Sequence, residues 1–166
     1  MSEENEYYKD VAAKPLNSIQ TNPVEVEPLS PTDERTWAMI AHLSMLLNLV
    51  TGFLGVGAAL AIYLVYKDRS RYVAYQAIQS FLFQLIFWVG GWFLGGLLTT
   101  ITWTIVGMLF VVVIGIILVP IAIVLTLIFF APPVIAIVYS IIGGIRCSNG
   151  EDFRYWLVSE WALSMI

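Results

Sequence analysis

The sequence predicts an all-α protein: a polytopic transmembrane helix bundle of about four membrane segments, preceded by a disordered acidic N-terminal tail. The 74 residues between Arg71 and Arg146 include no Lys, Arg, Asp, Glu or His. Hydrophobic residues make up 59% of the chain and charged residues 12%, against about 45–50% and 25% in soluble proteins. A membrane-spanning helix needs about 20 apolar residues, and charges are costly at the bilayer centre. Most of the chain is therefore predicted to lie in lipid.

Residues 1–33 form the predicted tail, which is acidic and contains several prolines. Such a segment cannot bury enough apolar surface to offset its ordering entropy, so we expect disorder unless a partner orders it. The tail lacks the basic start and the apolar run of a signal peptide. Its acidity, together with the net charge of −4 of the chain, argues against nucleic acid as a partner.

The transmembrane domain is predicted to cover residues 34–147. Its first apolar stretch, Trp37–Tyr66, is interrupted near the middle by three glycines. This stretch is therefore either one long kinked span or two short helices that form a hairpin. A basic loop follows, with Lys67, Arg69 and Arg71 as its cations. Because basic loops favour the cytoplasm, we expect this loop to be cytoplasmic.

The rest of the transmembrane domain has one clear span, Val73–Leu98. The threonine-rich segment Thr99–Thr102 is a mildly polar interruption, and a longer apolar stretch, Trp103–Ile145, follows it. Proline residues within that stretch are expected to kink a helix. The stretch is either two crossings or one long tilted crossing with a half-inserted piece. The side of the membrane that holds the C-terminus depends on this choice.

Residues 148–166 are predicted to form an interfacial C-terminal segment that begins with a turn at Asn149–Gly150. Its aromatic side chains are suited to the level of the lipid headgroups. Its charged side chains offer an alternative role, the docking of a cytoplasmic partner.

His42 is the single histidine of the chain and lies within the first apolar stretch. Ionisable residues inside a membrane are functional candidates, so a role in binding a proton or a ligand is open. A neutral imidazole also forms hydrogen bonds between helices, and we interpret His42 as structural. A metal site is disfavoured because no second histidine is available as a ligand.

A polar face is predicted on the helix that contains residues 76–84. It consists of Gln76, Gln79, Ser80 and Gln84. Helical spacing places these side chains on one side, where they either line a polar groove or form interhelical hydrogen bonds. The second interpretation is favoured. Unpaired amides are costly in lipid, so we expect this face to turn inward and to pack against residues 40–48.

Gly91 and Gly95 have the small-xxx-small spacing that allows two helices to approach closely. The partner helix belongs either to the same chain or to a second copy. We predict helix packing at this pair and leave the choice of partner open.

The order of four sequence features resembles a bacterial family of small membrane proteins of unknown function. These features are Glu34–Ser44, Lys67–Val73, the glutamines from Gln76 onward, and Asn149–Tyr155. The family is grouped with the twenty-kilodalton subunit of the chloroplast inner-envelope translocon, Tic. The resemblance implies a component of a translocon or transport system in the bacterial plasma membrane, and it implies no catalytic residues.

An enzyme is not expected, because no nucleophile–base set, paired carboxylates or phosphate-binding loop occurs in a plausible arrangement. No cofactor and no metal are expected either. Two functions follow: a translocon-like or transport component, or an accessory structural subunit of a larger membrane complex. The expected partners are the lipid bilayer, other membrane subunits or a second copy of the chain.

Overall fold

The computed structural model describes residues 28–166. The prediction of a disordered tail therefore falls almost entirely outside the described residues. Within the described range the regular structure is helical and contains no strand, which confirms the all-α prediction.

Seven α-helices occur between residues 28 and 166. They are α1 (Pro31–Thr51), α2 (Leu54–Tyr66), α3 (Arg71–Gln84), α4 (Gly91–Leu109), α5 (Ile114–Phe129), α6 (Ala131–Ser148) and α7 (Ser159–Leu163). A π-helical segment, Leu85–Gly90, joins α3 to α4, and a 3₁₀ turn, Phe110–Val112, follows α4.

Local sequence signals set the ends of α1. The Ser30 side chain accepts a hydrogen bond from the backbone N–H of Asp33 at 3.2 Å, and Pro31 occupies the first turn. A serine cap followed by proline is a typical helix start. The helix ends at Gly52, whose φ of 85° favours glycine. The chain then reverses into α2, so the first apolar stretch is a hairpin of two helices.

The predicted interruption at Thr99–Thr102 is wrong, because these residues lie inside α4. The hydroxyls of Thr100 and Thr102 donate to the carbonyls of Gly96 and Leu98 at 2.8 and 2.9 Å. The hydroxyls of Thr100 and Thr102 are thus satisfied by the helix itself and do not end it. The chain instead reverses at Val113, which has a φ of 66°.

Prolines act differently in α5 and α6. Pro132 and Pro133 occupy the first turn of α6, where the missing N–H has no helical partner to lose. This pair therefore begins a helix after the break at Phe130 and does not kink a continuous one. Pro120, by contrast, lies inside α5.

The helices form two parts, which we call the bundle and the distal hairpin. In the bundle, α1 packs against α2, α3 and α6, and α2 also packs against α3. In the distal hairpin, α4 packs against α5, with the 3₁₀ turn at its tip. The two parts are continuous through α3–α4 and α5–α6. The core of buried side chains lies in the bundle.

Two helical stretches, Arg71–Val112 and Ile114–Ser148, are long and apolar enough to cross a membrane, and α2 is a shorter apolar helix. Most of their large apolar side chains are exposed on the surface of the chain. Contiguous apolar surface of this kind is characteristic of contact with lipid or another protein. The finer prediction of about four membrane segments requires that α1 and α2 also cross the membrane.

Candidate functional site

The polar side chains predicted for the helix containing residues 76–84 lie inside the bundle. Four side chains of α3 are fully buried: Gln76, Gln79, Ser80 and Gln84. They face α1, which contributes the fully buried His42 and the buried Ser44 and Asn48. Residues 76–84 thus pack against residues 40–48 through polar contacts.

His42 is held at both ring nitrogens. Its Nε2 atom lies 3.0 Å from Oε1 of Gln76, and its Nδ1 atom lies 2.9 Å from the hydroxyl of Tyr155. An amide oxygen can only accept, so Nε2 carries a hydrogen. The imidazole therefore bridges α3 and the C-terminal segment.

Gln76 and Gln79 connect α3 to the segment that follows α6. The amide nitrogen of Gln76 donates to Oδ1 of Asp152 at 3.0 Å. The amide nitrogen of Gln79 donates to the carbonyl of Phe153 at 2.7 Å, and its oxygen accepts from the backbone N–H of Tyr155 at 3.2 Å. Gln79 thus pairs with non-helical backbone, which would otherwise be unsatisfied in an apolar surrounding.

Gln84 is the centre of a second group of hydrogen bonds, near the middle of α1. Its amide nitrogen donates to the hydroxyls of Ser44 and Ser80 at 3.0 and 3.1 Å. Its oxygen accepts from Nδ2 of Asn48 at 3.0 Å. The oxygen of Asn48 in turn accepts from the backbone N–H of Val56 at 3.2 Å. This group ties α1, α2 and α3 together.

Tyr155 is a residue of the site that the sequence analysis placed in an interfacial segment. Its side chain is fully buried and stacks on Phe83 at a ring distance of 4.0 Å. Burial raises the pKa of the Tyr155 phenol, which therefore remains a hydrogen-bond donor. Gly143 makes room, since a Cβ there would lie 2.9 Å from both His42 and Phe153. The paired glycines of α6 were the available signal that a side chain enters here.

Gly91 and Gly95 lie where α4 approaches the junction of α5 and α6. A Cβ at Gly91 would come within 2.7 Å of Pro133, and one at Gly95 within 2.6 Å of the carbonyl oxygen of Phe129. The close approach that their spacing allows therefore occurs within this chain.

The basic loop, with Lys67, Arg69 and Arg71, forms the turn between α2 and α3. Every other basic residue between positions 28 and 166 lies at the same end of the bundle: Arg35, Arg146 and Arg154. The hydroxyl of Tyr72 donates to the carbonyl of Glu151 at 3.0 Å, which joins the loop end of α3 to the segment after α6. The opposite end, at Gly52 and Trp88, has no charged residue among those described.

The chemistry of this site is that of a closed hydrogen-bond network. Residues 28–166 contain no group of three His, Cys, Asp or Glu side chains arranged to hold a metal ion. The polar groups of His42 and Gln79 are occupied by neighbouring protein groups. Such a network fixes helix positions because each member would lose its partners if a helix moved.

Comparison with known proteins corrects the family predicted from the sequence. Residues 33–162 match the MamF/MmsF family, described as the magnetosome magnetite crystal formation protein family, and not the Tic-related family. The features behind the earlier resemblance are a helix start, a basic loop and buried glutamines. Small helical membrane proteins of many kinds need these features, so their order does not identify one family.

No curated protein and no solved structure matches the chain in the same comparisons. The family match nevertheless spans most of the chain and all six long helices. This family and the two long apolar helices together indicate a membrane protein. The chain belongs to the magnetosome magnetite crystal formation protein family.

Proposed function

We propose that this protein is a non-enzymatic, multi-pass component of the magnetosome membrane that supports magnetite crystal formation through its structure. The observation that carries the proposal is the closed polar face of α3. Its side chains are fully buried and bonded to other protein groups. A transport path needs polar groups open to water or to a substrate. A face whose groups bind one another serves instead to fix the arrangement of helices.

The distribution of charge supports a multi-pass orientation with the basic loop in the cytoplasm. The six basic residues of the described range lie at one end of the bundle, and the opposite end is free of charge. Basic residues concentrate on the cytoplasmic side of membrane proteins. In this arrangement α1, α2, α3 and α6 cross the membrane, and both Arg71 and Arg146 remain in the cytoplasm.

The orientation is tested by thiol labelling at the exposed Asp68. In a Cys147→Ala background, Asp68→Cys should be shielded from a membrane-impermeant thiol reagent in intact cells and should react after permeabilisation. Replacement of the single cysteine removes background labelling. Ready labelling in intact cells would reverse the orientation.

The function is tested in a magnetite-forming bacterium from which this gene is deleted. Electron microscopy should show fewer or smaller crystals, and the wild-type gene should restore them. Crystals of normal number and size in the deletion strain, with related genes also removed, would contradict a role in crystal formation.

A transport component is the alternative, with His42 as its proton- or ligand-binding residue. A His42→Gln variant separates the two functions, because glutamine keeps hydrogen-bonding capacity but cannot carry a proton. A structural role predicts near-normal crystals from a variant that accumulates normally. Complete loss of crystals at normal accumulation would favour transport.

A further inference from the structure

The helical stretch that runs from the bundle into the distal hairpin is longer than the hydrocarbon layer of a membrane is thick. The helical stretch Arg71–Val112 has 42 residues, which corresponds to ~63 Å at 1.5 Å per residue. The hydrocarbon layer of a bilayer is only ~30 Å thick. A helix that starts at the charged end with Arg71 reaches the far surface near Gly90, after ~28 Å. The bundle therefore spans one membrane, and the distal hairpin extends beyond that membrane.

The surface of the distal hairpin is almost entirely apolar, and the hydroxyls of its exposed Thr100 and Thr104 bond to carbonyls of their own helix. Consecutive residues such as Ile116 and Ile117 are 58% and 72% exposed, although they point in directions about 100° apart. A helix that lies on a membrane surface needs one polar face, which α5 does not have. A second protein chain would cover one face and leave the others in water. Lipid hydrocarbon is the surrounding that suits all faces at once.

The tip of the distal hairpin also belongs in hydrocarbon. It consists of Phe110–Ile114, without a polar side chain, and Val111 is 88% exposed. Deeper in the hairpin, the indole N–H of Trp103 donates to the hydroxyl of Thr126 at 3.0 Å. This indole needs no interfacial water. Neither the tip nor the body of the hairpin is suited to an aqueous compartment.

The bundle and the distal hairpin meet at a joint. In both chain segments that pass through this joint, the sequence weakens the helix. One chain segment has the π-helical segment, which ends at Gly90, followed by Gly91. The other has the break at Phe130 followed by Pro132 and Pro133. Gly-Gly and Pro-Pro pairs are turn signals, and π segments mark bends in helices. Gly91 lies against Pro133, so the two chain segments are in contact and bend together.

We propose that the distal hairpin folds back at this joint into the same bilayer that holds the bundle. The hairpin helix α4 has 19 residues, or ~28 Å, and thus matches one hydrocarbon thickness. Insertion into a second, apposed membrane would place two headgroup layers around the joint. Residues 85–91 and 130–133, which form the joint, contain no charged or amide side chain to meet them. This inference goes beyond the proposed function, which leaves the hairpin's position open.

The experiment is a distance measurement between spin labels in lipid vesicles. The labels are attached to Asp68→Cys, in the basic loop, and Val111→Cys, at the tip, in a Cys147→Ala background. An extended hairpin separates them by roughly 60 Å, whereas a folded hairpin brings them within about 30 Å. A matched control pair, Asp68→Cys and Leu85→Cys, should give ~25 Å in either case.

A main distance near 60 Å in vesicles would overturn the proposal. The joint is examined separately with Gly90→Ala, whose methyl group would meet only the Leu85 carbonyl oxygen, at an ordinary contact distance of 3.8 Å. Alanine favours a continuous helix, so the fraction of the long distance should rise. Gly96→Ala has open space for its methyl group but lies beyond the joint, and it should leave the distances unchanged. Equal responses of the two variants would contradict the position of the joint.

Discussion

The two ends of the helical stretch Arg71–Val112 have the same lack of charge after Arg71 but different surroundings. The α3 end buries ten of its fourteen residues, including three glutamines. The α4 end buries three of nineteen, and its large apolar side chains are exposed. One continuous helix therefore belongs to a closely packed bundle at one end and to a thin hairpin at the other.

This difference shows what specifies a fold in lipid. Lipid tails are as apolar as leucine. An apolar side chain that exchanges lipid for a protein contact therefore gains little free energy from the hydrophobic effect. Buried hydrogen bonds and close backbone approach must then select the arrangement of helices. The bundle has both devices in its glutamine face and its glycine contacts. The distal hairpin has close backbone approaches at Gly95 and Gly115, but its helices are joined by a hydrogen bond of only one side-chain pair, Trp103 and Thr126.

The largest contrast should come from two phenylalanines ten positions apart. Phe83 is fully buried among aromatic rings, whereas Phe93 is 73% exposed on α4. Phe83→Ala leaves a cavity and should lower the free energy of unfolding by about 3–5 kcal/mol. Phe93→Ala exchanges one lipid contact for another and should change it by less than about 1 kcal/mol. Unfolding in mixed detergent micelles, followed by circular dichroism, measures both. Similar losses would mean that the hairpin is as tightly packed as the bundle.

Two glycines of α2 give the next contrast. A Cβ at Gly55 would collide with the carbonyl of Ser44 and with the side chain of Asn48, whereas a Cβ at Gly57 meets open space. Gly55→Ala should therefore destabilise the bundle by about 3 kcal/mol, because backbone has to move. Gly57→Ala should be neutral or stabilising by about 0.5–1 kcal/mol. The same unfolding measurement applies, and a stable Gly55→Ala protein would show that α1 and α2 do not pack as described.

The sequence allowed the helical class and the inward glutamine face to be predicted, because each depends on local chemistry. Gln79 and Gln84 had to find partners in any apolar surrounding, so their direction could be inferred without knowing the partners. The partners themselves could not be inferred. Tyr155 reaches His42 only because residues 151–158 turn back into the bundle over Gly143. The paired glycines of α6 indicate room for a side chain, but no local pattern identifies Tyr155 as the residue that fills it, and headgroup preference pointed the other way.

Removal of one amide should have a smaller effect. Gln79→Leu leaves the carbonyl of Phe153 and the N–H of Tyr155 without their partner. Buried hydrogen bonds in membrane proteins contribute ~0.6 kcal/mol each, and unpaired groups add to the loss, so we expect a decrease of about 2 kcal/mol. Thr104→Val in α4 removes a hydroxyl that bonds only to its own helix and should change the free energy by less than about 0.5 kcal/mol. Equal effects would show that the glutamine face does not specify the bundle.

The smallest expected effect concerns two tryptophans on either side of the Gly90–Gly91 pair. The indole N–H of Trp88 donates to the carbonyl of Gly52 at 2.6 Å and thereby satisfies the end of α1. Trp92 is 48% exposed and contacts Phe130 by its ring edge. Phenylalanine keeps an aromatic ring but loses the donor, so Trp88→Phe should lower the free energy of unfolding by about 1 kcal/mol. Trp92→Phe should change it by less than about 0.5 kcal/mol. If Trp92→Phe proved the more damaging of the two, the end of the bundle would lie beyond the joint, and the boundary drawn between bundle and distal hairpin would have to move into α4.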